Sequence, residues 1–406
     1  MHFFHILSTL RRHKTAAALI IIEIALTCGI VSNAVFLISD RLARTDRRSG
    51  VAEDELLDVR LTGIGTKSDA AAVTAQDLAA LRARPGVKAV SSINMVPFGN
   101  SSWNTDTSRI KDDPNGVSVG QYIGKGIVET FGLRLVAGRD FQPGEYVEFE
   151  TAQAKPGSIG SVIITQAVAT RLFGDESPLG KQLYTGGQDP VLVVGVVDQL
   201  LRPTDGEPTE PNSRAFSMIL PVVLPFTVGG HYAVRVDPGE RDPFLATVDA
   251  TLTKVDPSRI MLEHRTFGAI RQEHFKQDRA MAYLLIGVSL ALLLITALGV
   301  VGLASFWVQQ RTRQIGIRRA LGATRGNILR YFQLENFILA TIGIALGMVL
   351  AYGINLWLMS KYAVPRLPAE VLPIGAVILW VIGQIAVLGP AMRAATIPPA
   401  IATRSV

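Results

Sequence analysis

The stretch AMAYLLIGVSLALLLITALGVVGLASFWVQQ, residues 280–310, contains no formally charged side chain over 31 residues. As an α-helix rising 1.5 Å per residue it would be about 46 Å long, whereas the hydrocarbon core of a bilayer is about 30 Å thick. We therefore predict a transmembrane helix at 280–308 that tilts or projects beyond the bilayer. Three further apolar stretches predict transmembrane helices at 16–38, 331–360 and 371–392.

The first predicted span contains one acid, Glu23. An acid at mid-span costs about 2.5 to 3.5 kcal/mol on insertion scales, but twelve Leu, Ile, Val and Phe residues each return about 0.3 to 0.6 kcal/mol. A cleaved signal peptide is disfavoured because the apolar run is too long and has no Ala-x-Ala site. Glu23 is thus an intramembrane polar residue with two open interpretations. It is either a functional group that meets its symmetry mate, Asn33 or Gln384, or a member of a buried structural hydrogen bond.

Most of the charge lies between the first two spans. Residues 40–279 hold 27 of the 40 Lys and Arg and 31 of the 34 Asp and Glu. This pattern predicts a large soluble domain at 39–279. Because that domain is acidic overall, it offers no basic groove for nucleic acid. The single cysteine, Cys28, excludes a disulfide framework and a cysteine zinc site.

The short loops predict the orientation, since Lys and Arg are retained on the cytoplasmic side. The loop at 309–330 carries six arginines and no acid. We therefore expect this loop, the N-terminal segment 1–15 and the tail 393–406 to lie in the cytoplasm. Residues 2–10 of the N-terminal segment could form an interfacial helix. The large domain and the loop 361–370 are then external.

Strand and helix patterns alternate within the external domain. Strand-helix-strand halves are predicted within 39–100 and 215–279, and an inserted subdomain at 117–200, with loops at 98–116, 142–160 and 201–214. The predicted fold class is a membrane α-helical protein with four transmembrane helices plus an α+β extracytoplasmic domain made of two subdomains.

Signals for an enzyme are poor. None of the six histidines has the spacing of a zinc helix, and no Gly-x-Ser-x-Gly elbow occurs. The glycines and lysine of residues 63–68 lack the contiguous Gly-Lys-Ser/Thr of a nucleotide loop, so this segment is predicted to be a turn. We expect no catalytic, cofactor-binding or metal-binding residues on this chain.

Residues 313–324 (RQIGIRRALGAT) follow the long second span. They resemble the signature of the FtsX-like permease family, the MacB-type membrane subunits of ABC transporters. In the external domain, residues 131–133 (FGL), 137–141 (AGRDF) and 169–174 (ATRLFG) resemble the MacB-type periplasmic core. Residues 177–181 (SPLGK) and 193–197 (VVGVV) continue that resemblance in the same order.

The resemblance implies a type VII ABC membrane subunit in the bacterial inner membrane, working as a dimer with a second copy or a close paralogue. ATP and Mg would be bound by a separate ABC ATPase, since MacB carries an ATPase domain that is lacking here. A periplasmic adaptor and an outer-membrane channel are further partners that the family allows, besides the lipid bilayer. The implied function is mechanotransmission: ATP-driven motion reaches the periplasmic domain and exports a periplasmic substrate.

The family resemblance assigns the contact with the ATPase to nine residues of this loop: Ile315, Gly316, Ile317, Arg318, Arg319, Ala320, Leu321, Gly322 and Ala323. Gln314 stands where the family usually has an acid. Ile317, Leu321, Thr324 and Ile328 are predicted to share one helical face. Gly322 is expected to end this helix, and Thr324 to cap the next.

Three alternatives remain open. A basic loop by itself could be solvated or bind phospholipid, although that does not explain its apolar residues. The chain could be an FtsX-like non-transport regulator of an envelope or cell-wall enzyme, or an anchored binding or receptor protein. For the leading function we expect a two-helix stalk, with residues 39–48 continuing the first span and residues 272–279 preceding the second.

Overall fold

A computed structural model describes residues 14–63, 69–113, 115–155, 157–186, 190–204, 212–226, 230–362 and 366–398. The predicted interfacial helix at residues 2–10, and the predicted turn beyond Gly63, lie outside these residues. The chain divides into two units, Arg47–Lys276 and the combination of Met1–Asp46 with Gln277–Val406. We call them the core unit and the membrane unit.

The elements are numbered along the chain. The α-helices are α1 (Lys14–Thr45), α2 (Ala70–Arg82), α3 (Ile127–Phe131), α4 (Phe149–Ala154), α5 (Gln166–Phe173), α6 (Arg241–Val255), α7 (Phe267–His274), α8 (Lys276–Gln310), α9 (Thr312–Ala320), α10 (Arg325–Tyr362) and α11 (Leu372–Ala395). The strands are β1 (Leu56–Gly63), β2 (Val87–Ser92), β3 (Asn104–Ser108), β4 (Val117–Ile123), β5 (Leu135–Gly138), β6 (Val147–Glu148), β7 (Ser161–Thr165), β8 (Gln182–Thr185), β9 (Pro190–Val197), β10 (Ser217–Leu220), β11 (Val222–Val223), β12 (Gly230–Val236) and β13 (Arg259–Thr266). Four short 3₁₀ turns, Pro143–Glu145, Ser213–Ala215, Pro238–Glu240 and Ala369–Val371, complete the elements described.

Four helices of the described chain, α1, α8, α10 and α11, are long and apolar enough to cross a membrane. This agrees with the four transmembrane helices predicted from hydropathy. The helices are longer than the predicted spans because polar turns extend them at their ends. Helix α8 has 35 residues, so it is about 52 Å long at 1.5 Å per residue.

Helix α10 packs closely on α1 through small residues. A Cβ atom added at Gly347 would lie 2.4 Å from the Cβ of Cys28, and one added at Gly343 would lie 2.9 Å from the Cβ of Ile24. The side chain of Asn33 donates hydrogen bonds to the carbonyls of Gly29 at 2.9 Å and Ala351 at 3.0 Å. Small residues and interhelical hydrogen bonds hold helices together where lipid supplies no hydrophobic driving force.

Helix α8 is much less buried than α1. Only 17% of the most apolar 18-residue segment of α8 is buried, whereas the corresponding value for α1 is 61%. Two polar contacts connect the pair. Thr27 and Thr296 are hydrogen-bonded through their hydroxyls at 2.8 Å, and Arg41 Nη1 lies 2.6 Å from Asp278 Oδ1.

The predicted strand-helix-strand halves of the core unit form one antiparallel sheet in the order β13-β1-β12-β2. Helices α2 and α6 contribute Leu81 and Phe244 to the apolar cluster that also contains Leu57 and Tyr232. At its edge the buried Asp77 accepts a hydrogen bond from the hydroxyl of Tyr232 at 2.8 Å and pairs with Arg259 at 3.1 Å. The α+β prediction for this domain is therefore confirmed.

The second sheet is larger than the predicted insertion at 117–200. Its order is β5-β9-β7-β10-β4-β3-β8, and β8 also pairs with β9. Six of its strands therefore form a closed ring, which leaves β5 outside. The sheet also contains β3, which lies in the predicted loop at 98–116. It contains β10 as well, which lies in the strand-helix-strand half predicted at 215–279. Both predictions failed because these strands are short and their pairing is non-local.

Candidate coupling site

The short helix α9 lies on the chain between the two membrane helices α8 and α10. It ends at Ala320, and Gly322 follows with φ +96°, a left-handed conformation that a side chain disfavours. The hydroxyl of Thr324 accepts a hydrogen bond from the amide of Asn327 at 3.2 Å, at the start of α10. The predicted end at Gly322 and the predicted cap at Thr324 are both confirmed.

One face of α9 is buried in the membrane unit. Ile315 packs in an apolar cluster with Val308 of α8, Ile328 and Phe332 of α10, and Ala391 of α11. Gly316 is buried beside it. This face therefore fixes α9 against three of the membrane-spanning helices.

The opposite face is exposed and partly apolar. Ile317 is 45% exposed and Leu321 is 82% exposed. Arg318, Ala320 and Gly322 are exposed as well. We call these five residues the coupling surface. Two large exposed apolar side chains therefore lie next to an exposed arginine on this surface.

A buried ion pair anchors the start of α9. Arg311, the residue before the helix, has its Nη1 atom 3.0 Å from both carboxylate oxygens of Glu335 in α10. The two side chains are only 8% and 1% exposed. The guanidinium of Arg311 also lies 5.5 Å from the ring centroid of Trp307 in α8. Burial, charge and the aromatic contact together orient the last turn of α8 toward α10.

Two domain models match the chain. The MacB-like periplasmic core domain matches residues 18–250, more than half of the chain, and the FtsX-like permease C-terminal domain matches residues 286–399. The chain belongs to the MacB-type, FtsX-like family of ABC transporter permeases. This confirms the resemblance inferred from the loop and the external domain.

Among curated relatives, the ABC transporter permease YvrN of Bacillus subtilis (strain 168) is 29% identical over 60% of this permease and 61% of its own length. The macrolide export ATP-binding/permease protein MacB of Shewanella sp. (strain W3-18-1) is 31% identical over 47% of this permease and 29% of its own length. Both matches span less than two thirds of the relative. The ABC transporter permease YknZ of Bacillus subtilis (strain 168) is 26% identical over 79% of this permease and 77% of its own length.

Solved structures of family members also match. The extracellular domain of YknZ covers 51% of this permease and all of that chain, with 18% identity and a TM-score of 0.30. The periplasmic region of MacB from Actinobacillus actinomycetemcomitans covers 55% of this permease and 94% of that chain, with 13% identity and a TM-score of 0.33.

The predicted coupling residues of the permease do not all point the same way. Ile315 and Gly316 face inward, whereas the five residues of the coupling surface face outward. Arg319 and Ala323 are half-buried, and Arg319 Nη1 donates a hydrogen bond to the carbonyl of Ile397 at 2.6 Å. The guanidinium of Arg318 lies 4.9 Å from the ring centroid of Tyr331.

The prediction that Ile317, Leu321, Thr324 and Ile328 share one helical face is wrong. The left-handed turn at Gly322 breaks the helix, so Ile328 belongs to α10 and is buried. Helical periodicity does not continue across a helix end that has a left-handed residue.

Sequence reasoning missed the role of Glu335. In the sequence Arg311 is one of six arginines in a loop without acids, and its partner lies 24 residues further along the chain. A signal was nevertheless available. Glu335 immediately precedes the charge-free part of the third span, in a region otherwise rich in arginine. An acid at such a position is costly in the membrane unless it is paired.

Asn33 and Gln384, two of the three partners predicted for Glu23, make hydrogen bonds to main-chain carbonyls instead. The Glu23 carboxylate lies against α8, where a Cβ atom added at Gly299 would be 2.4 Å from Oε1. The absent side chain at Gly299 makes room for the acid between α1 and α8. A contact with the symmetry mate stays a prediction.

Proposed function

We propose that the permease couples ATP hydrolysis by a separate ABC ATPase to movement of its core unit, and that this movement exports an external substrate. The single observation that carries the proposal is the coupling surface. The exposed side chains of Ile317 and Leu321 are suited to a protein groove, and Arg318 beside them is suited to an acidic rim.

The anchoring of α9 supports this role. A contact helix transmits force only if it is fixed to the elements that it moves. The buried pair of Arg311 with Glu335 and the packing of Ile315 tie α9 to both α8 and α10. A displacement of the coupling surface would therefore be passed to two membrane-spanning helices at once.

The length and continuity of α8 supply a path toward the external side. The helix runs without interruption from Lys276 to Gln310. Near its start, the salt bridge between Asp278 and Arg41 ties it to α1, which continues to Thr45. We propose that this paired segment is the two-helix stalk and that it transmits displacement. It is shorter than the predicted 39–48 and 272–279, because α1 ends at Thr45 and α7 ends at His274, before α8 begins at Lys276.

The remaining features of the proposal follow from the family and from charge. The arginine-rich loop and both chain ends lie in the cytoplasm of a bacterium, and the core unit lies outside the inner membrane. The permease works as a dimer with a second copy or a close paralogue, and an adaptor and an outer-membrane channel are further candidate partners. An ABC ATPase, with its ATP and Mg, is the partner that we propose for the coupling surface.

The proposal is tested by charging the coupling surface. In Ile317→Asp/Leu321→Asp, two carboxylates replace the exposed apolar side chains, and we expect an ABC ATPase from the native host no longer to co-purify. Gly326→Asp/Asn327→Asp is the matched control, because both positions are exposed on the first turn of α10. Acids near a helix N-terminus are tolerated or favourable there. Membrane insertion should be unchanged in both variants.

Equal co-purification of an ATPase with both double variants would contradict the proposed contact. So would the absence of any ATPase from preparations of the unaltered permease in its own host. Loss of the ATPase in the control alone would move the contact from α9 to α10.

A further inference from the structure

The strand ring of the core unit has a cavity at one end. In the ring, β7 and β9 begin at this end, whereas β4, β8 and β10 finish there, as the strand registers show. The cavity encloses about 330 Å³ and is partly open to solvent. It is lined by Thr105 of β3, Gln121 of β4, Thr185 of β8, Val191 of β9 and Leu220 of β10. The mouth of a closed sheet is a common place for a small-molecule site.

The segment before β7 forms the other side of the cavity. Helix α4 contributes Ala152 and Gln153, and the following turn contributes Ser158 and Ile159. Val191 and Leu220 belong to an apolar core cluster, and Ala152 and Ile159 pack against that cluster. One side of the cavity wall therefore belongs to a packed apolar core, and the other side consists of hydroxyl and amide side chains.

Two of the lining hydroxyls are buried without a partner. Ser158 Oγ and Thr185 Oγ1 are both shielded from solvent, and neither is hydrogen-bonded within the described chain. A buried hydroxyl left unpaired lowers the stability of the folded protein. Both oxygens are shielded from the cavity as well, so rotating either side chain toward it would let a ligand with hydrogen-bonding groups pair with that hydroxyl.

The lining also excludes charged ligands. None of the described residues around the cavity is ionisable. A carboxylate or an ammonium group entering it would lose its hydration and find no opposite charge, which is strongly unfavourable. Uncharged hydroxyl or amide groups would lose less and could pair with Thr105, Gln121 and Gln153.

We infer that this end of the strand ring is a binding site for a small uncharged amphiphile, one that carries hydroxyl or amide groups at one end and a short hydrocarbon portion at the other. The polar end would face the Thr, Ser and Gln side chains, and the hydrocarbon would cover Ile159, Val191 and Leu220. The size of the cavity suits a small molecule rather than a segment of a protein. The inference does not rest on the coupling proposal, since it concerns only the core unit.

The test uses the full-length permease in lipid nanodiscs, titrated calorimetrically with hexyl β-D-glucoside below its micelle-forming concentration. Hexyl β-D-glucuronide is the matched probe, because it differs by one carboxylate. We expect saturable binding of the glucoside, after subtraction of empty nanodiscs, and at least tenfold weaker binding of the glucuronide.

Three variants locate the site. Ala152→Phe fills the cavity from α4 and should weaken glucoside binding at least tenfold. Ala154→Phe, on the same helix but exposed and not lining the cavity, should leave binding within twofold. Thr185→Val keeps the shape and removes one unpaired hydroxyl, so we expect binding about three- to tenfold weaker. This milder change decides the question if Ala152→Phe does not fold.

Three results would overturn the inference. The first is no saturable binding of the glucoside to the unaltered permease. The second is equal binding of the two probes. The third is glucoside binding that neither Ala152→Phe nor Thr185→Val weakens, which would place the probe in the bilayer or elsewhere on the protein.

Discussion

Replacing Glu335 by Gln should strongly destabilise the membrane unit. The substitution keeps the shape of the side chain but removes its charge, so Arg311 stays buried with no counter-ion. Two unit charges about 4 Å apart attract each other by about 4 kcal/mol at an effective dielectric constant of 20. Removing one member of a buried pair costs about 3 to 5 kcal/mol in proteins. We expect a loss of that size, since the Glu335 side chain is only 1% exposed.

The pair itself need not add net stability. Removing two charges from water costs hydration free energy. Replacing a buried ion pair by an apolar pair of similar volume is therefore often neutral or stabilising. Arg311→Met and Glu335→Met should each destabilise by about 3 to 5 kcal/mol. The double variant should lie within about 1 kcal/mol of the unaltered permease, which corresponds to a large coupling energy.

The assay is reversible unfolding in mixed detergent micelles, followed by circular dichroism, for the four members of the cycle. Arg313→Met is the control, because Arg313 is exposed on α9, two residues after Arg311, and its replacement should change the free energy of unfolding by less than about 0.5 kcal/mol. If Glu335→Gln behaves like Arg313→Met, or if the two Met substitutions are additive, the pair is not the anchor of α9.

Two further predictions concern packing and pH. In the same unfolding assay, Gly347→Ala should destabilise the permease by about 1 to 3 kcal/mol, because the new methyl group would meet the Cβ atom of Cys28 at 2.4 Å. Gly353→Ala in the same helix is the control. Its methyl group would enter open space, so the change should be neutral or stabilise by up to about 1 kcal/mol. A hydrogen bond from Arg139 lowers the pKa of Glu145 from 4.5 to about 2, so this pair contributes stability above pH 4.5 that is lost as the pH falls toward 2. Arg139→Gln should flatten that part of the thermal stability profile of the full chain, and an unchanged profile would contradict the assignment.

Much of the fold could be predicted from local sequence. Four long apolar stretches determine four membrane helices, because a bilayer accepts only segments whose backbone groups are all paired internally. Gly322 and Thr324 determine where α9 ends and α10 begins, since left-handed glycine and hydroxyl caps act over one turn. Alternating strands with turn signals determine the first sheet of the core unit. These signals act over short distances and can be read along the chain.

The site could be predicted only in part. The loop motif indicates where the proposed coupling surface lies, but not which of its residues face outward. That choice depends on the packing of Ile315 against three other helices. Glu23 shows the same limit, because its neighbour Gly299 lies on a helix more than 270 residues away in sequence.

What the sequence by itself determined, therefore, is the set of membrane helices, the arginine-rich loop and its helix boundary, and the α+β character of the large domain. The tertiary structure alone decided the pairing of Arg311 with Glu335, the recruitment of β3 and β10, and the closure of the strand ring that forms the cavity. Hydropathy, charge runs and caps are properties of neighbouring residues. Ion pairs and ring closure depend on which distant segments meet, and that is set by packing of the whole unit.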